Sequence, residues 1–409
     1  MKQITVSAPA HIQTRIKLPS SKSICNRALI INALSQGNAP IDNLSDCDDT
    51  RVMVQALQAM PETIDIGAAG TAMRFLTAYL TVREGETHIL TGTQRMKQRP
   101  IGILVNALRE LGADISYLEN EGFPPLLIRG KALTGSAISL PGNVSSQYIS
   151  ALLMIGPMLK NGLEITLEKE VISRPYIDMT LKLMNQFGAD ACWRSPQTLG
   201  VSPQPYSHHP FYVESDWSAA SYWHEICALT PDAVIELPAL FAESLQGDSA
   251  IASLFSHLGV STEYHPDKVI LKNQGNAATT LEYNFINQPD LAQTLVVTCA
   301  LLQIPFRFSG LQSLKIKETD RIHALITEMK KLGFLLKETE NGVLAWEGER
   351  CPAELASGID TYEDHRMAMA FAPACICIQP LRINEPQVVS KSYPHFWEDL
   401  RTAGFNITE

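Results

Sequence analysis

The chain has 409 residues, 45% hydrophobic and 19% charged, which is enough apolar material for large cores and too long for one ordinary domain. Its 43 acidic against 33 basic residues leave a net charge of −10, which argues against a nucleic acid or an anionic membrane as partner, since both select a basic surface. The first residues carry no apolar core of signal-peptide length, no run of about 18 apolar residues reads as a membrane span, and the eight Cys form no CxxC pair. A reducing cytoplasm without disulfides or zinc is expected. Cys227, Cys299, Cys375 and Cys377 sit in apolar runs and are expected as small core residues.

In chain order, SSKSICNRALIINAL predicts a helix opened by serines, with Ile24, Ala28, Ile31 and Leu34 on one stripe and Lys22, Ser23 and Arg27 at its start. DTRVMVQALQAM is a second helix, ending in PETIDIG. In GAAGTAMRF small residues around Gly70 let a ligand approach the backbone, ahead of Arg74. TQRMKQRPIG places three cations before a Pro, which would fix Arg99 at a helix start. NVSSQYISALLM and SRPYIDMTLKLM offer hydroxyls and an amide, Ser145, Ser146, Gln147 and Ser173, at further helix starts. SPQTLGVSPQPYSHHPF, rich in Pro and Ser, is the expected boundary between two halves. Its His208 and His209 lack a third ligand at suitable spacing for a metal. DWSAASYW reads as core. In SLKIKETDRIHAL, Lys317, Glu318, Asp320 and Arg321 crowd a helix entrance. YEDHRMAMAFAPACICI puts Asp364, His365 and Arg366 before an apolar helix that should be deeply buried.

A pattern of helix, Gly and strand recurs as ALRELGADISYL, LMNQFGADACW, LFSHLGVSTEY, MKKLGFLLKET and LRTAGFNIT. The glycines Gly112, Gly188, Gly259, Gly333 and Gly404 fall about 71–76 residues apart, which suggests one repeated α/β unit. A sixth unit before Gly112 lacks the Gly-strand return, so it is truncated or not a true copy.

Cations and hydroxyls recur where helices begin. Helix N-termini carry unpaired amides and partial positive charge, so they suit anions. Cations there oppose the dipole, and repeating that placement at four or more helices suggests a ligand. Each motif alone keeps an ordinary alternative: a capped surface helix for LPSSKSICNRAL, tight packing for GAAGTAMRF, a basic loop for TQRMKQRPIG, a salt-bridge ladder for KETDR, and a buried Asp–Arg pair for DHR.

Jointly and in order, LPSSKSICNRAL, GAAGTAMRF, RMKQRPIG, VSSQYISALLM, SRPYIDMTL, KIKETDRIHAL, YEDHRMAMAF and SKSYP resemble the motifs of the 5-enolpyruvylshikimate-3-phosphate synthase family over almost the whole chain. The resemblance implies an α/β fold: a two-domain inside-out α/β barrel, each domain of three repeated βαβαββ-like units, with the active site in the interdomain cleft. Residues 1–19 plus 217–409 would form one domain and 20–216 the other, with a shortened repeat near 49–75. It implies a cytoplasmic, monomeric transferase that needs no metal or cofactor. Its partners would be phosphoenolpyruvate and shikimate 3-phosphate. Lys22, Ser23, Arg27, Ser145, Ser146, Gln147, Ser173, Tyr176, Asp290, Ser313 and Lys317 would hold shikimate 3-phosphate. Lys22, Gly70, Arg99, Gln147, Arg321, Arg366 and Lys391 would hold phosphoenolpyruvate. Asp290 would be the base at the 5-hydroxyl and Glu318 the acid at the enol methylene, with Lys22 or Lys391 sharing the proton work.

The chemistry asks for such a set. Two phosphates and two carboxylates must be neutralised, and addition to an enol needs one acid and one base, differently tuned. The site would complete itself only as the two halves close. Departures from the family pattern are Ala68 and Ser313 where Asn is usual, Ser20 where Gly is usual, and about two dozen residues missing after Met60. Two rivals remain: an enolpyruvyl transferase acting on a UDP-sugar, which would lack the KETDR run, and a non-catalytic anion-binding scaffold, which would need neither Asp290 nor Glu318.

Overall fold

The five periodic glycines all take positive φ, between 82° and 98°, the region that L side chains avoid and that ends a helix cleanly. They mark a unit that the computed structural model, which describes residues 3–35 and 39–409, shows in full. A strand leads to a helix, a second strand, a second helix and then a two-stranded hairpin. The strands pair in the order first, second, fourth, third. The first two run parallel and the others antiparallel.

The chain divides into two compact units, Met1–Pro19 with Glu214–Glu409, and Ser20–Val213. Within Ser20–Val213, one copy has strands Thr63–Asp65, Thr87–Thr91, Asp114–Tyr117 and Leu126–Arg129, with helices Gly70–Thr81 and Gly102–Glu110. The next has strands Ala137–Pro141, Leu163–Glu168, Ala191–Ser195 and Thr198–Val201, with helices Ser146–Ile155 and Arg174–Gln186. The remaining copy is short. Phe211–Tyr212 runs parallel to Ile41–Asp42, and helices Lys22–Leu34 and Asp48–Ala59 follow in their places. Among the described residues no hairpin comes next. Met60 turns left-handed at φ 40°, and Thr63 already begins the following copy. The shortening therefore lies at Met60–Glu62, and residues 63–75 belong to a complete repeat.

In the other unit, Gln13–Arg15 and Val234–Pro238 are the parallel pair of one copy and Leu281–Asn284 and Phe306–Ser309 of the next. The last copy is closed by the N-terminus: Gln3–Ser7 lies antiparallel between Leu381–Asn384 and Asn406–Thr408.

Helices lie inside and sheets outside. Gly70–Thr81 and Ala292–Leu301 are buried throughout and Trp217–Leu229 nearly so, as apolar residues on every face require. Strands such as Thr87–Thr91 alternate buried and half-exposed residues. In the copies not interrupted by a crossing between units, the first two strands are parallel and each precedes a helix, so both helices begin at the same end of the sheet. In each of these copies the helix N-termini thereby lie at one edge of the sheet, the edge where α/β sheets bind ligands.

Four expectations need correction. Glu214–Asp216 pack with the discontinuous unit, because Ser215 N bonds Ala239 O and Asp216 N bonds Pro19 O. The boundary expected near 195–211 falls just beyond that segment, at Val213/Glu214, and the segment itself holds the sheet strand Thr198–Val201. Arg99 does not open a helix. It is extended (φ −90°, ψ 124°) between the turn Met96–Gln98 and the helix from Gly102, because the following Pro disfavours helical backbone. Cys377 is exposed, while Cys227, Cys299 and Cys375 are buried: the apolar helix ends at Phe371 and continues only as a 3-10 turn to Ile376.

Candidate active site

In Ser20–Val213 the helix starts bring cations, hydroxyls and an amide together. Gly70 opens its helix, and a Cβ there would stand 2.6 Å from Nη1 of both Arg74 and Arg99. Only a residue without a side chain lets the Arg99 guanidinium lie against this backbone. Arg74 Nη1 donates to Gly70 O at 2.8 Å and its guanidinium covers the Tyr148 ring at 5.7 Å. Gln147 Nε2 donates to Thr71 Oγ1 at 3.2 Å, while Ser145 caps that helix by accepting from Gln147 N. Ser146 is buried beside them.

Arg27 is the second element. It is buried, over Phe75, and donates from Nε to Thr180 Oγ1 (2.7 Å), from Nη1 to Ser23 O (2.9 Å), and from Nη2 to Ser150 Oγ (3.2 Å) and Tyr176 O (3.4 Å). Burial pushes it down to about 10, opposed by Tyr176. Those partners are hydroxyls and carbonyls, so the scaffold fixes the guanidinium without cancelling its charge. An anion would offset that desolvation. Lys22 Nζ lies 3.7 Å from buried Asp49. Ser173, buried and left-handed (φ 54°), makes no side-chain cap bond, which leaves its hydroxyl for other use. Tyr176 is half-buried.

The other unit carries a cluster of buried carboxylates and cations. Arg321, 2% exposed, grips Asp364 through Nε (2.6 Å) and Nη2 (3.3 Å), Glu318 through Nη2 (2.9 Å) and Asp290 through Nη1 (3.2 Å). Burial alone would lower Arg321, but Asp364, Glu318 and Asp290 outweigh it and hold it above the ordinary Arg value. Asp290 also meets Arg366 at 2.9 Å and Lys317 at 3.6 Å. Glu318 meets Lys391 at 2.6 Å. Asp290 attracts and raises Lys317, yet burial with Arg321 and Arg366 pushes it below the usual Lys range. Four cations are thus interleaved with three carboxylates, in a setting where charges act strongly.

Placement is uneven among the predicted residues. Gly70, Arg99 and Gln147 come together, as do Asp290, Lys317, Glu318, Arg321, Arg366 and Lys391. Ser313 is half-buried in the turn Gln312–Ile316. Asp320 is a helix cap, accepting from His323 N, and Lys97 pairs with Glu119 on the surface. The buried Asp–Arg pair at DHR exists, but Asp364 pairs with Arg321 from 43 residues away and caps its own helix through Arg366 N. Sequence reasoning missed Asp49, Thr180, Ser150 and Asp248. Asp248 is buried, accepts from Ser218 Oγ, and is pushed up to about 6 by burial and then by Asp290. Its place before the second helix of a repeat was the available signal. Among the described residues no group of three or more His, Cys, Asp or Glu could hold a metal ion, and no helix is long and apolar enough to cross a membrane.

Comparison with known proteins gives one answer. The family model of EPSP synthase (3-phosphoshikimate 1-carboxyvinyltransferase) matches residues 6–65 and 59–400, its two pieces meeting where the short repeat breaks off. A 3-phosphoshikimate 1-carboxyvinyltransferase of Bacteroides fragilis (strain YCH46) is 63% identical over 402 residues, covering 98% of each chain. One from Vibrio campbellii is 36% identical over 429 residues, covering 98% of this chain and 99% of that one. In fold, the chain matches EPSP synthase from Acinetobacter baumannii with a TM-score of 0.80 at 21% identity over both full chains. It matches the enolpyruvyl transferase NikO of Streptomyces tendae at 0.73 and 14%, covering 99% of this chain and 98% of that one.

Proposed function

We propose, from the premise that this chain belongs to the EPSP synthase family, that its two clusters serve a single reaction. The chain transfers the enolpyruvyl group of phosphoenolpyruvate to the 5-hydroxyl of shikimate 3-phosphate in the shikimate pathway, releasing phosphate. It works in the cytoplasm, as a monomer. Sedimentation of the purified protein tests the oligomeric state, and a stable dimer would contradict it.

The observation that carries the mechanism is Arg321 holding Asp290 at 3.2 Å and Glu318 at 2.9 Å, with Arg366 and Lys391 on their other sides. One cation spaces a base and an acid, and two more can be claimed by an incoming anion. Phosphoenolpyruvate binds Arg99 against Gly70 and competes for Arg321, Arg366 and Lys391. Shikimate 3-phosphate takes Arg27, Lys22, Lys317 and the hydroxyls of Ser23, Ser145, Ser146, Ser173 and Tyr176, with Ser313 beside Lys317. A carboxylate that loses cation partners becomes a better proton acceptor. Substrate binding therefore frees Asp290 to take the 5-hydroxyl proton.

That oxygen bonds C2 of phosphoenolpyruvate, and the double-bond electrons take a proton from Glu318 onto C3. Lys391, 2.6 Å away, supplies that proton to Glu318, which is left as a carboxylate. In the second half Glu318 removes a proton from the new methyl group, the double bond re-forms, and the C2–O bond to phosphate breaks. The departing phosphate takes up the proton held by Asp290, and the cations neutralise its remaining charge.

The test is phosphate release from phosphoenolpyruvate with shikimate 3-phosphate against UDP-N-acetylglucosamine. Release with the first alone is expected. Release with the second favours the UDP-sugar transferase, and binding without release favours a scaffold. Asp290→Asn should lose about a hundredfold or more in turnover while keeping shikimate 3-phosphate binding.

A further inference from the structure

Arg366 reaches Asp290 from a loop whose backbone is unusual. Between the bridge at Ile359 and the helix at His365, Tyr362 and Glu363 are both left-handed, at φ 54° and 55°. Two successive non-glycine residues in that region persist only where their surroundings over-determine them. The loop's far end is fixed by Asp364, which accepts from Arg366 N at 2.9 Å and pairs with Arg321. Its middle is fixed by Glu328.

Glu328 lies seven residues after Arg321, two turns along the same face of one helix. It is fully buried. Its Oε2 accepts from Asp360 N at 3.1 Å and pairs with Lys331 at 2.8 Å, and its Oε1 accepts from the Tyr362 hydroxyl at 2.6 Å. Lys331 and Asn384 hold the Asp360 carboxylate at 2.8 and 2.7 Å. Burial, then the Glu328 bond, raises the Tyr362 phenol, so it stays a donor. One helix thus grips the loop twice, at Arg321 and at Glu328.

We propose that Glu328 is a positioning residue for enolpyruvyl transfer: clamping Asp360 N and the Tyr362 phenol, it fixes the left-handed loop that presents Arg366 to phosphoenolpyruvate. This rests on the binding role given to Arg366 above.

The test is steady-state kinetics of the full-length enzyme with both substrates varied. Tyr362→Phe removes one hydroxyl. Glu328→Gln keeps the shape but cannot accept from both donors and balance Lys331. Both variants raise KM for phosphoenolpyruvate about tenfold, the equivalent of one charge-assisted hydrogen bond. KM for shikimate 3-phosphate stays within about twofold, and Tyr362→Phe adds nothing further in an Arg366→Ala background. Ile235→Val, a core deletion in the same unit, lowers the melting temperature without moving either KM. Two results overturn the proposal: loop variants that lose stability but keep KM for phosphoenolpyruvate, or additivity with Arg366→Ala. If Arg366→Ala itself leaves that KM unchanged, the binding role of Arg366 fails. If Arg366→Ala raises it and the loop variants do not, only the clamp fails.

Discussion

Gly70→Ala separates binding from stability. Gly70 is the first residue of a buried helix, so its backbone accepts Ala without strain, and replacing a helical Gly by Ala stabilises by up to about 1 kcal/mol. The new methyl would stand 2.6 Å from Nη1 of Arg74 and Arg99 and 3.1 Å from Arg99 Cζ. Both guanidinium groups end flexible side chains, so they move aside and the fold survives. The Arg99 guanidinium then no longer lies against the backbone. Losing one charge-assisted contact costs about 1.5–3 kcal/mol, so KM for phosphoenolpyruvate should rise about tenfold to a hundredfold. Coupled detection of released phosphate measures it, with a thermal melt on the same preparation. The expected pair of results is a higher KM for phosphoenolpyruvate with an equal or higher melting temperature. An unchanged KM refutes the placement of the Arg99 anion site, and a lower melting temperature refutes the steric reasoning.

Arg27→Lys keeps the charge but cannot reproduce bonds to Thr180, Ser23, Ser150 and Tyr176 together. Calorimetry should show shikimate 3-phosphate binding about tenfold weaker or worse, and unchanged affinity would contradict the fixed guanidinium. Asp248, pushed up to about 6 by burial and Asp290, binds its proton more tightly folded than unfolded. Its contribution is most favourable below about pH 4 and is lost as pH rises through about 6. Asp248→Asn, which can still accept from Ser218, should therefore be more stable than the parent at pH 7, by up to about 3 kcal/mol, and no more stable near pH 4. Denaturant unfolding at both pH values checks this, and an equal difference at both would contradict it.

Much of the site was legible because chemistry constrains residue type locally. The period of Gly112, Gly188, Gly259, Gly333 and Gly404 reveals the repeat, since ending a helix and turning into a strand needs positive φ. The cations at Lys22, Arg321 and Arg366 stand out because they oppose the helix dipole. Partner choice was not legible. Nothing near Asp364 says that it pairs with Arg321 rather than its neighbour Arg366, and nothing near Arg27 names Thr180. Those choices depend on which helix starts share a sheet edge, and parallel pairing of distant strands sets that. The position of Arg99 was misjudged because Pro holds the residue before it in extended backbone, so the helix begins only at Gly102. Cys377 was misplaced because composition does not show where an apolar helix tightens into a 3-10 turn and surfaces.

Solvent deuterium in the product tests the acid–base mechanism most directly. In D2O, addition delivers a deuteron to C3 of phosphoenolpyruvate, and elimination removes one of the three methyl hydrogens. Deuterium should therefore appear in the enolpyruvyl methylene of the product, read by mass spectrometry and proton NMR. Product formed at full rate with no deuterium at that carbon would contradict protonation by Glu318 and the roles assigned around Arg321.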